Sequence, residues 1–315
     1  MQNTVRVLRG EDVLAQLKDL VRYFDEPMAD YSALPTLAVA KLAREHVTVA
    51  LTGDGADEEL GGYKYYLAQR TVEPYIRTVP TAARTALAKL APVVPSAGAR
   101  RIVERSGAVD AALFFGLGGF YRGAASAAVN RLLGEENEAP KRVAQFLRAH
   151  PLQNGVEAGM LYDATHTLPH AWLYQVDRAS MAVGLEARSP FLDRRVLELA
   201  FSLPLDMRIR GRHKKYLVRR LLQDYLPVEL IDRPKQGFTA PVAHWLRHEL
   251  RPELESCLSE ETVAMRGFFD PNRVSVLVGE HLNGTHDHAQ LLWALLVLEW
   301  WLEHHIAHRS IDSRF

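Results

Sequence analysis

Apolar residues along most of this chain recur at the three- and four-residue intervals of a helix face. Val13, Leu14, Leu17, Leu20, Val21 and Phe24 form such a set after the turn residue Gly10. Pro27 and Asp30 interrupt it, and Ser32 is placed to N-cap a following helix, with Pro35 tolerated in the first turn. Asp193 is placed to cap RRVLELAF, which stops before Pro204. The segment from about Asp287 to His304 is apolar around most of its circumference, the pattern of a buried helix. Two short stretches depart from this periodicity. TVRVL, residues 4–8, and VTVALTG, residues 47–53, are rich in β-branched residues and predict strands. Helical patterns between and after them predict an α/β, mostly helical unit with parallel strands. LAPVVPSAGAR, residues 90–100, and GLGG, residues 116–119, read as connections. No internal repeat or low-complexity tract is present.

Composition narrows the function classes. At 315 residues the chain can bury a substantial core. Its 38 Lys and Arg balance 38 Asp and Glu, so no net field draws nucleic acid or an anionic membrane. Cys257 stands alone, which excludes an internal disulfide framework and fits a reducing compartment. The N-terminal stretch lacks a signal-peptide h-region, and the apolar run from Leu291 is broken by Glu299 and too short to span a bilayer. The expectation is a soluble cytoplasmic protein.

The most informative stretch is VTVALTGDGADEELGGY. A predicted strand runs directly into Thr52, Gly53, Asp54, Gly55, Ala56, Asp57, Glu58 and Glu59, then Gly61 and Gly62. Ligands of open α/β sheets bind outside the carboxyl ends of the strands, glycines permit close approach, and clustered carboxylates suit magnesium. Taken alone, the loop is equally a polar turn leading into a solvated helix start, where acidic residues favour the dipole. A second segment, VDRASMAVGLEARSPFLD, sets Asp177, Arg178, Glu186 and Arg188 among apolar residues; a structural ion-pair network is an equal reading of any one of them. In a third, RPKQGF, Arg233 and Lys235 flank Pro234, a stiff turn whose lysine could face phosphate or be an ordinary basic turn.

Together these segments resemble the asparagine synthase family. TGDGADEELGGY is similar to its SGDGGDELFGGY, DRASMAVGLEARSPFLD to its DRxSMxxxLExRxPFLD, and KKYLVRRLL with RPKQGF to its KYLLRxxx and RPKxGF; DEPMADYSALPT resembles DEPFADPSAIPT. The order agrees, and the resemblance covers residues 1–305, leaving 306–315 as a tail. It implies the C-terminal part of a Rossmann-like, adenine-nucleotide-binding (PP-loop type) synthetase domain with an incomplete parallel sheet. It further implies ATP and Mg2+ as cofactors, and activation of an aspartate carboxylate as an acyl-adenylate that ammonia from glutamine then attacks. By resemblance, Asp57 would bind magnesium and Asp54 would manage protons at the reacting carbonyl. Thr52, Gly53 and Gly55 would let the backbone approach the nucleotide, and Lys235 would neutralise phosphate charge. Asp177, Arg178, Glu186 and Arg188 would shape the substrate pocket.

The pattern departs from the family in two ways. Ala56 stands where a glycine is usual, which disfavours a positive φ there, and Glu59 replaces an apolar residue. No SGGxDS pyrophosphate loop occurs in the sequence, and no glutaminase domain with an N-terminal cysteine. With a strand order of 3-2-1-4-5, TVRVL would be strand 3 and VTVALTG strand 4, with strands 1 and 2 missing between them. The expectation is a chain working with a separate N-terminal synthetase/glutaminase polypeptide, or a truncated product. A non-catalytic homologue or regulatory binding protein, and an amidotransferase with another acceptor, remain alternatives. Metal binding by His304, His305 and His308 is a third option, against which stands an ordinary solvated terminus.

Overall fold

The computed structural model describes residues 19–95, 139–150, 154–233 and 240–307, with Thr4, Val5, Gln16, Val103, Leu132 and Leu152 besides. Among these residues the fold is mostly helical, around a parallel sheet of two short strands. Helix α1, Ala33–Arg44, buries Leu34, Leu37, Ala38 and Ala40 on one face. Ser32 stands at its N-cap position, but its hydroxyl does not cap the helix; it accepts from Gln175 Nε2 at 3.0 Å. The Asp30 carboxylate orders the entry instead, accepting from the Ser32 N–H at 2.7 Å.

Strand β1, Val49–Leu51, leads into α2, Ala56–Glu59, and α3, Lys64–Thr78. Helix α4, Gly155–Tyr162, continues through a π-wound stretch, Asp163–Leu173, into α5, Tyr174–Met181. The wide winding accommodates Pro169, which has no N–H to give an α-helical ladder. Strand β2, Glu186–Arg188, follows, then α6, Arg194–Ser202, capped by Asp193 as its sequence predicts. Next come α7, Tyr216–Leu222, α8, Val242–Arg247, α9, Arg251–Cys257, α10, Glu260–Arg266, α11, Pro271–Leu282, and α12, Ala289–Leu302.

The strands pair in parallel with Val49 opposite Glu186, Ala50 opposite Ala187 and Leu51 opposite Arg188. This corrects the sequence reading in two respects. The partner of β1 is the charged stretch at 186–188, too short and too polar to announce a strand. The proposed TVRVL strand is not seen at Thr4 or Val5, and its remaining residues lie outside those described, as do GLGG and residues 96–100. The outer edges carry no further strand among the described residues, and β1 leaves Val49 40% and Leu51 75% exposed. Two residues apart, Val49 and Leu51 project from the same face of the sheet.

The main core joins both ends of the described chain. Leu20, Val21 and Phe24 pack with Leu34 and Leu37 of α1, Leu246 of α8, and Leu292, Trp293 and Leu296 of α12. The indole N–H of Trp301 donates to the Phe24 carbonyl at 3.2 Å, and His305 Nε2 bonds the Val21 carbonyl at 3.0 Å. His305 thus tethers the C-terminal helix to the chain at Val21, and His308 lies outside the described residues. A smaller cluster, Tyr66, Val156, Met160 and Ile209, fastens α3 to α4. Among the described residues no helix is long and apolar enough to cross a membrane.

Leu296 is wholly buried, so Leu296→Ala is expected to cost about 2–5 kcal/mol in urea denaturation. Leu51→Ser, at the same residue type but an exposed position, is expected to stay within about 0.5 kcal/mol because the side chain already faces solvent.

Candidate active site

The carboxyl end of β1 is fixed by backbone bonds on both flanks: Glu186 N–H donates to Thr48 O at 2.9 Å, and Thr52 N–H to Arg188 O at 2.8 Å. The chain then turns at Gly55, whose φ is +89°. A β-carbon there would stand 2.4 Å from Leu192 Cδ2, so both the conformation and the space demand glycine. Ala56 is the first residue of α2 and needs no positive φ, which removes the difficulty its side chain posed in the sequence. Ser189 Oγ donates to the Asp54 carbonyl at 2.5 Å and ties the turn to the segment after β2.

This loop opens on a cavity of about 570 Å³, within the range of small-molecule sites. Thr52, Gly53, Asp54, Gly55 and Asp57 line it together with Ser32 and Thr36 of α1, Trp172, and Gln175 and Ser180 of α5. An adjoining cavity of about 250 Å³ is bounded by Thr52, Asp54, Asp177, Ser180 and Glu186. The fold therefore gathers Thr52, Gly53, Asp54, Gly55, Asp57, Asp177 and Glu186 around two neighbouring spaces that share Thr52 and Asp54. A β-carbon on Gly53 would meet nothing within 4 Å, so a ligand can approach that backbone.

Two predicted pocket residues turn elsewhere. Arg178 reaches Asp25 at 3.0 Å and lies 5.4 Å from the Tyr174 ring centre. Arg188 pairs with Glu186 on the same strand face at 2.7 Å. Lys235 lies outside the described residues, and Arg233 at their edge is exposed.

Sequence reading missed Lys215. Its Nζ lies 3.1 Å from Asp57 Oδ1, placing a cation beside the carboxylate assigned to metal. Lys215 has a φ of +50°, the left-handed region, where a lysine is strained unless its surroundings hold it. Gly62 makes the pair possible, since a β-carbon there would overlap Asp57 Oδ1 and stand 2.4 Å from Lys215 Cε. Lys214 Nζ donates to the Gly62 carbonyl at 2.8 Å. The visible signal was the KKYLVRRLL motif, which marked the lysines without saying where they turn.

Behind α2 lies a layer of buried carboxyls. Tyr63 donates to Glu58 Oε1 at 2.6 Å, while Tyr65 and Tyr66 both donate to Asp163 Oδ2. Burial raises the Glu58 and Asp163 carboxyls above the usual range. Glu59 is wholly enclosed, and neither of its carboxyl oxygens has a hydrogen-bond partner. Burial, reinforced by Glu58 and opposed by Lys215, pushes it up to about 8.

The whole-chain comparison decides the family: the Asparagine synthase model matches residues 1–303. The chain belongs to the asparagine synthase family. A glutamine-hydrolyzing asparagine synthetase 1 of Bacillus subtilis is 27% identical over 307 residues, covering 96% of this chain and 47% of that protein. The 'Putative asparagine synthetase (glutamine-hydrolyzing)' of Mycobacterium tuberculosis strain H37Rv is 29% identical over 315 residues, covering 99% of this chain and 48% of its own length. The amidase chyE of Penicillium rubens is 24% identical over 297 residues, covering 84% of this chain and 43% of that protein. The chain thus spans about half the length of the curated relatives it matches.

The family's ATP and magnesium can be tested against the residues present. Asp54 and Asp57 supply oxygen donors at the mouth of an open cavity, and Gly53 leaves its backbone approachable, so the donor chemistry fits. With one or two protein carboxylates, the remaining positions on such an ion would fall to water and phosphate.

Glu59 gives a test of the electrostatics. Its folded value lies above the ordinary 4.5, so the folded state holds a proton that the unfolded state gives up. Stability should therefore fall as pH rises from about 5 to 8, and level off once both states are ionised. In Glu59→Gln that component should vanish: denaturation midpoints should decline less over this range and exceed those of the parent chain at pH 8.

Proposed function

We propose that this chain is the acidic-loop half of an ATP-dependent amidotransferase of asparagine synthetase type, completed by a second polypeptide bearing an SGGxDS loop. The observation that carries this reading is the convergence of Asp54 and Asp57 on one cavity beside the uncovered edge of β1. A partner strand along that edge would pair its backbone N–H and C=O groups and bring its own carboxyl-end loop to the same cavity.

In this reading the reaction must bring an anionic carboxylate to an anionic triphosphate and stabilise departing pyrophosphate. Magnesium, when bound, supplies positive charge at the phosphates. Asp57 would hold it, and Lys215 fixes the direction of the Asp57 carboxylate while offsetting its charge before ligands arrive. Asp54, beside both cavities, takes protons from the attacking ammonia. Lys235 stabilises charge on the transferring phosphates. Asp177 and Glu186 border the smaller cavity, where their negative charge suits the amino group of an aspartate.

Co-expression with the polypeptide carrying SGGxDS, followed by aspartate-dependent exchange of pyrophosphate into ATP, tests this assignment. The pair is expected to exchange and the chain alone is not. Asp57→Asn and Lys235→Ala in the assembled pair should each lower adenylate formation by about 10²–10³. A stable pair without exchange with aspartate or any other carboxylate would reject the catalytic reading. It would leave the second one, a non-catalytic homologue. Exchange at an unchanged rate in Lys235→Ala would remove that residue from the mechanism.

A further inference from the structure

Far from the acidic cavity in sequence, α11 and α12 are joined by the turn Asn283–His288, in a stretch that reads EHLNGTHDH from Glu280. Here three potential ligand atoms converge: one carboxylate oxygen of Glu280 and one ring nitrogen each of His286 and His288, all within 4.8 Å of one another. Glu280 Oε2 is 2.5 Å from His288 Nε2 and 3.7 Å from His286 Nδ1. These separations bracket the roughly 3.3 Å between donors on a tetrahedral ion with bonds of about 2.0–2.1 Å. None of the three residues borders either cavity at the end of β1.

The turn is held independently of these ligands. The Glu280 carbonyl accepts from the His286 N–H at 3.2 Å and from the Thr285 hydroxyl at 3.1 Å. Gly284 takes a φ of +78° and reverses the chain, and the His288 N–H donates to Nδ1 of the fully buried His281 at 3.2 Å. His281 is anchored in turn, its carbonyl accepting from Arg247 Nε of α8 at 2.8 Å. Two of the ligands thus sit on backbone already fixed to the core, which lowers the ordering cost of closing a site. A second trio, His244, His248 and Glu249, is exposed at all three residues, and its two rings stack on each other.

We propose that Glu280, His286 and His288 form a binding site for a divalent zinc-type cation that clasps the α11–α12 turn. Two imidazoles and one carboxylate suit zinc, whereas calcium and magnesium demand oxygen throughout. His288 would coordinate through Nε2, the ring nitrogen that faces Glu280 Oε2. Water completes the fourth position. The ion ties the last turn of α11 to the start of α12, the helix at the centre of the core.

The full chain, stripped with chelator and desalted, is titrated with Co²⁺ while visible absorption is followed, and then with Zn²⁺ as competitor. One equivalent should bind with the intense bands of a tetrahedral site, and Zn²⁺ should erase them. Even loss of an outer partner of a metal ligand costs about 10–100-fold, so His286→Ala and Glu280→Gln should each weaken binding by more than about tenfold. His286 is largely exposed and Gln is isosteric with Glu, so both variants should retain the parent circular dichroism. His244→Ala/His248→Ala should bind as the parent does. Absence of tetrahedral bands in the parent, or loss of binding in the His244/His248 variant with retention in His286→Ala and Glu280→Gln, overturns the proposal.

Discussion

A parallel pair of strands three residues long has little holding power of its own, yet the whole candidate site hangs from its carboxyl end. The backbone bonds from Glu186 to Thr48 and from Thr52 to Arg188 clamp β1 at both flanks, and so fix where the chain leaves the sheet. From that point Gly55 turns the loop and α2 projects Asp57 toward the cavity. The same pairing sets Glu186 beside Asp54 at the smaller cavity. The helices compensate for the weak sheet: α1 and α5 pack against each other, and the core centred on α12 carries the apolar burial that the strands cannot.

Charge around the loop is arranged in two layers. Toward the cavity, Asp57 is balanced by Lys215, held in a left-handed backbone conformation with Gly62 clearing the space. Beside and behind it, Glu58 and Asp163 are satisfied by tyrosine hydroxyls, while the Glu59 oxygens have no such partner. A buried carboxyl without a donor is costly when ionised and settles by keeping its proton. The raised pKa of Glu59 accommodates the substitution that set it apart from the family pattern, and Asp54, Asp57 and the tyrosine-bound Glu58 line the cavity.

Leu51 is exposed at the end of β1, and the chain covers 47–48% of the length of the two synthetase relatives. Among the described residues β1 pairs with one strand only, β2. The turn at Glu280 to His288 lies on the opposite arm of the chain, in the helices that build the core, and owes nothing to the sheet.

Local chemistry made a large share of this legible in the sequence. Helical periodicity marked α12, Asp193 announced the start of α6, and the glycine-acid run after VTVAL identified the loop, because each signal lies within a few adjacent residues. Family membership was legible for the same reason, as ordered motifs. What only the tertiary structure decided depends on residues far apart in the chain. Glu186–Arg188 is a strand only because β1 lies beside it, and its own three residues are too few and too polar to signal one. Arg178 leaves the pocket because Asp25, more than 150 positions away, offers a charge at 3.0 Å. Lys215 meets Asp57 through a backbone twist that no propensity favours, and Ser32 gives up its cap to Gln175. Composition and spacing set the chemistry available; which charges meet was settled by packing, where distant partners compete for the same side chain.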